Sequence, residues 1–93
     1  MERIAIDVID AGVLYLVDVA LPGVLEADIN VTFRDSRLLI HAERPPASGV
    51  YLSREIPQGV FFREILLPDP VELVGALLEE GVLRLTLRKK GDR

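Results

Sequence analysis

The chain has no cysteine, one histidine, one methionine and few aromatics among its 93 residues. Without cysteine there is no disulfide and no thiolate metal ligand, and the redox compartment stays open. A lone histidine, His41, cannot build a multi-histidine metal site. No serine or acid is placed in the sequence to use it as a base. Positive charge is also scarce: 11 Lys and Arg face 15 Asp and Glu, for a net charge of −4. That argues against a nucleic-acid partner, whose binders carry a basic stripe, and against a membrane partner. No apolar run is long enough to cross a bilayer. Glu2 and Arg3 lead straight into a strand pattern where a secretory leader would be apolar, so the cytoplasm is the expected compartment. The glycines form no phosphate loop. Asp7, Asp10, Asp18 and Asp28 lack the spacing of calcium ligands and read as turn residues. No cofactor, metal or catalytic residue is expected, and the chain is not expected to be an enzyme.

What is present is strand. Apolar residues make up 49% of the chain, enough for one domain with a modest core. The plainest stretch is Glu79-Glu80-Gly81-Val82-Leu83-Arg84-Leu85-Thr86-Leu87. Two acids and a glycine make a turn. Leu83, Leu85 and Leu87 then point one way, and Arg84, Thr86 and Arg88 the other. Ile4, Ile6 and Val8 alternate in the same way before an Ala11-Gly12 turn. Residues 13–20 are nearly all apolar, which suits a strand covered on both faces or central in a sheet. Leu21-Pro22-Gly23 ends it. Residues 29–33 and 38–43 read as a hairpin around Asp35-Ser36. Residues 44–49 read as a loop, 50–56 as a short strand, and 60–67 as a strand stopped by Pro68 and Pro70. Residues 73–78 suit either a short helix or a strand. Short strands with a turn every 8–12 residues mean an all-β fold, an antiparallel immunoglobulin-like β-sandwich of about 7–9 strands. One domain spans 1–93, with its core over about 4–88 and a charged, frayed tail over 89–93.

Six ordered motifs carry a resemblance across almost the whole chain. Tyr15-Leu16-Val17-Asp18-Val19-Ala20-Leu21-Pro22-Gly23 is a strand followed by Leu-Pro-Gly, and Ala27-Asp28-Ile29-Asn30-Val31 follows it. Leu38-Leu39-Ile40-His41-Ala42-Glu43-Arg44 has Ala42 where a glycine is usual. Tyr51-Leu52-Ser53-Arg54-Glu55, then Gly59-Val60-Phe61-Phe62-Arg63 leading to Leu67-Pro68, and finally Ala76 with Gly81-Val82-Leu83, complete the series. The chain resembles the α-crystallin domain of small heat-shock proteins.

The resemblance implies an ATP-independent holdase of the stress response. Such a protein binds unfolding or partly folded client proteins through apolar grooves and sheet edges, with no active site. It also implies a homodimer in which a loop strand joins the partner's sheet; residues 51–56 are that strand here. The implied dimer interface is Arg63 with Tyr51, Leu52, Ser53, Arg54 and Glu55, and Arg63 would face an acid such as Glu55 or Asp18. The alternative for Arg63 is an exposed sheet face. The expected client groove is Val31, Phe33, Leu73, Gly75 and Leu77, with plain core as the alternative. Few residues precede the first strand and no Ile-x-Ile tail follows the last, so a near-minimal core is expected. A second reading is a non-catalytic adaptor that binds one defined partner.

Overall fold

A computed structural model describes residues 2–91, and the alternation read above becomes eight strands. They are β1 (Glu2–Arg3), β2 (Ile6–Asp10), β3 (Leu14–Ala20), β4 (Ile29–Arg34), β5 (Arg37–Arg44), β6 (Gly59–Leu66), β7 (Val71–Glu79) and β8 (Val82–Lys89). They form two four-stranded sheets, ordered β1-β6-β5-β4 and β2-β3-β8-β7. Every pairing is antiparallel except the two-residue β1, which runs parallel to β6. The all-β sandwich expected from the alternation is the fold.

The core lies between the sheets and is built by period-2 alternation. β3 contributes Tyr15, Val17 and Val19; β8 contributes Leu83, Leu85 and Leu87. The facing sheet supplies Leu38, Ile40 and Ala42 from β5, with Phe61 and Ile65 from β6. Each is 5% exposed or less. Burial of one Val, Leu, Ile or Phe side chain contributes about 1.5–3 kcal/mol. No charged or polar residue is buried among those described.

Turn chemistry sets the register. Glu80 and Gly81 have φ of 51° and 80°, the paired positive angles of a two-residue hairpin turn whose twist matches its strands. Leu78 then stands opposite Leu83, and Ala76 opposite Leu85. The ambiguous residues 73–78 belong to a strand, because pairing with β8 outweighs their local helix preference. The expected frayed tail is corrected at its first residue: Lys89 closes β8 and is held by side-chain contacts. Residues 92–93 lie outside the described residues.

The connections decide which edges meet. Residues 4–5 carry the chain from β1 in one sheet to β2 in the other, with Ile4 buried beneath the crossing. Ala20 N–H donates to the Ala5 carbonyl at 3.0 Å, which extends the β2–β3 ladder back to the crossing. The two remaining edges, β4 and β7, therefore lie along the opposite border. There Val71 N–H donates to the Asp35 carbonyl at 3.0 Å.

Candidate functional site

Arg63 comes from the inward-facing series of β6, opposite Ile40. An arginine there cannot lie in the apolar centre without a partner. It extends instead to the border where the chain crosses between the sheets and donates from Nη1 to the Ile4 carbonyl at 2.8 Å. Within its own chain it meets neither Glu55 nor Asp18. Asp18 is taken by Arg84, directly opposite on β8, with bidentate bonds of 2.7 and 2.8 Å. That hydrogen bond holds the Asp18 carboxyl below the usual carboxylate range, against some opposing desolvation. Arg63 lines a hollow of about 400 Å³ with Arg3, Ala5 and Ile6. The neighbouring strand β2 pairs only with β3 among the described residues. Its other edge offers free backbone groups, flanked by Val8 and Ile9 at 44% and 41% exposure.

The opposite border is an apolar seam. From β4, Ile29, Val31 and Phe33 face inward across from Ala42, Ile40 and Leu38 and pack half-buried against the core. Strict alternation would put Leu73, Gly75 and Leu77 together on one face of β7. A bulge between Leu73 and Gly75 prevents it. Leu73 stands opposite the inward Leu87, whereas Gly75 and Leu77 stand opposite the outward Thr86 and Arg84. Gly75 and Leu77 are thus corrected to the outer face, because one inserted residue reverses the parity. The inward residues of β7 are Val71, Leu73, Ala76 and Leu78. Leu73 is 48% exposed at the lip of the seam.

Residues 50–56 are not a strand. Tyr51, Leu52, Ser53, Arg54 and Glu55 lie in an irregular arm joining β5 to β6. Intrachain pairing gives this segment no neighbouring edge, so its alternation has nothing to register against. The stem of the arm is anchored by Arg44, whose Nη1 donates to the Pro57 carbonyl at 3.1 Å. The same guanidinium lies over Gly23, where a Cβ would come within 2.5 Å of Arg44 Nε. The φ of 77° calls for glycine after Pro22, and a Cβ there would also push the flexible Arg44 side chain aside. The Tyr51 hydroxyl accepts from Ala47 N–H at 2.9 Å and donates to Gln58 Oε1 at 2.8 Å. Val50 and Leu52 stand in solvent at 93% and 101% exposure.

One feature had no clear signal in the sequence. The Tyr15 ring is buried and its hydroxyl donates to Asp69 Oδ2 at 2.6 Å. That bond, with desolvation, raises the phenol above its ordinary value. Lys89 Nζ sits 4.5 Å from the Tyr15 ring centroid and donates to Asp10 at 2.9 Å. The hydrogen bonds to Lys89 and to Gly12 N–H hold Asp10 below the usual carboxylate range. The ends of β2, β3 and β8 and the 67–70 connection are thereby tied together. His41 lies on the outer face between Asn30 and Phe62. No three His, Asp or Glu side chains gather to hold a metal ion among the described residues. No helix there is long and apolar enough to cross a membrane.

A family model described as the Hsp20/alpha crystallin family matches residues 7–93. The chain belongs to that family. It is 35% identical over 91 residues to the 17.0 kDa class II heat shock protein of Zea mays, an alignment covering 89% of this chain and 58% of the relative. Among solved structures, heat shock protein 16.0 from Schizosaccharomyces pombe superposes with a TM-score of 0.82 at 29% identity, covering 97% of this chain and 89% of that one. HSP18.5 from E. histolytica shares the fold at a TM-score of 0.86 and 20% identity, covering 100% of this chain and 93% of that one. This Hsp20-family chain spans about half the length of the curated relatives it matches.

Proposed function

We propose that this Hsp20-family domain is an ATP-independent chaperone core of the cytoplasm that holds unfolding client polypeptides in stress. The observation that carries the reading is the seam between β4 and β7. There Val31 and Phe33 are half covered and Leu73 is 48% exposed, beside two sheet edges without strand partners among the described residues. An extended apolar segment docking there gains burial from its side chains and hydrogen bonds from its backbone, the logic of strand addition. Heated at substoichiometric amounts with an aggregating client and no ATP, the domain slows light scattering. No effect at large excess would sink the holdase reading and favour an adaptor for one defined partner.

The second part of the reading is a homodimer. The arm strand 50–56 of one protomer pairs with the free edge of β2 in the other, near Arg63 and the hollow it lines. Opposed to that edge, the arm gains the neighbour it lacks in its own chain. Sedimentation at low micromolar concentration gives twice the 10.3 kDa chain mass. The substitution Arg63→Gly, which removes the bond to Ile4 and opens the hollow, loosens that dimer. An unchanged mass for the variant would remove Arg63 from the interface.

A further inference from the structure

We infer that the Tyr51 hydroxyl is a latch that closes the 47–58 arm on its own protomer and competes with its transfer to a partner. The inference rests on the proposed arm-exchange dimer and adds a regulatory step to it. The hydroxyl uses both of its hydrogen-bonding roles across the loop, accepting from Ala47 N–H at 2.9 Å and donating to Gln58 Oε1 at 2.8 Å. Ala47 and Gln58 lie on the two stems of the arm, so one group holds them together. Arg44 braces the second stem through the Pro57 carbonyl.

The rest of the arm gains little from being closed. Val50, Leu52 and Ile56 are 93%, 101% and 61% exposed. In an extended chain these residues, two apart or four apart, fall on one face together with Arg54, and Tyr51, Ser53 and Glu55 fall on the other. The sequence therefore encodes a strand with one mostly apolar face, interrupted by Arg54, that the isolated chain does not form. Two arrangements of the arm compete. One is closed by hydrogen bonds with its apolar face in water. The other is open, with that face available to cover a second chain. Opening requires Tyr51 to release both bonds. Burial of an apolar face strengthens on warming from the cold, whereas an exposed hydrogen bond does not, so heat favours the open arm.

The test compares the full chain with Tyr51→Phe, which keeps the ring, and with Gln58→Ala, which removes the acceptor. An exposed hydrogen bond of ordinary net strength lowers the open fraction about two- to tenfold. Both variants should tighten dimerisation by that factor in a sedimentation dilution series at 25 °C, and the gap from the parent chain should narrow at 45 °C. At concentrations where the parent chain is monomeric, the Ala47 amide should be protected from hydrogen exchange and should lose protection in Tyr51→Phe. An unprotected Ala47 amide in the parent chain, or unchanged or weaker dimerisation in both variants, overturns the latch while the dimer reading stands. A parent chain that never dimerises, or whose dimer survives deletion of 46–53, overturns the arm-exchange reading and the latch together.

Discussion

The two tyrosines of this chain make opposite uses of the same hydroxyl. Tyr15 is 3% exposed, and its ring is part of the core. Its hydroxyl meets a carboxylate, and a lysine lies over its ring. Tyr51 is 42% exposed, and its hydroxyl joins two parts of a loop in which no residue from 45 to 57 is buried. In the first case the hydrogen bond is added to apolar burial that already orders the ring. In the second, the bond itself orders the segment, and little else opposes its loss. The comparison separates a body held by many concurrent interactions from an arm held by a few separable ones. Conformational freedom belongs to the arm.

Four changes would break or sharpen that contrast. The largest effect is expected for Leu85→Ala in the middle of β8, where a 1%-exposed side chain is removed. Loss of about 2–5 kcal/mol of stability is expected by chemical denaturation, and a loss below half a kilocalorie would deny the body its cooperative core. Next is Tyr15→Phe, which keeps the ring and leaves Asp69 without its donor. A fall in melting temperature on the order of 5 °C is expected by calorimetry; no change would make the tie at that end decorative.

The third test is acid titration. The folded carboxyls of Asp10 and Asp18 lie below their ordinary value because they accept from Lys89 and Arg84. Depressed carboxyls contribute stability that is fully present above the unfolded value of about 4 and is lost as pH falls through the folded value. Stability should therefore decline below about pH 4. The combined Asp10→Asn, Asp18→Asn variant should show a flatter acid limb, and an identical slope would refute the assignment. The smallest effect on stability is expected for deletion of 46–53. The melting temperature of the monomer should move by less than about 2 °C, while dimers disappear in sedimentation. A large loss of stability would mean that the arm supports the body after all.

Much of the body was legible in the sequence. β8 was readable because its alternation spans eight residues beside a turn whose Gly81 favours positive φ. The β4–β5 hairpin was equally plain, since Asp35 tolerates a φ of 57°. The candidate site was only partly legible. Val31, Phe33 and Leu73 face the seam, but the bulge in β7 moved Gly75 and Leu77 to the other side. No local composition announces one extra residue in a strand. The arm misled for a different reason. Its pattern asks for a strand, yet strands need a neighbour, and the chain supplies none at that place. The partner of Arg63 was missed because a main-chain carbonyl has no signature in the sequence.

The sequence by itself determined the all-β class, the inward and outward faces of the long strands, most turns, and membership in a family recognisable by its ordered motifs. These follow from period and backbone angle, which are properties of a residue and its near neighbours. Only the tertiary structure decided which edges stay open, where the bulge reverses β7, that Arg63 closes on Ile4, and that Tyr51 ties the arm. Each of these depends on groups far apart in the chain meeting in space, and the free energy of such a meeting is set by its neighbours rather than by the local pattern.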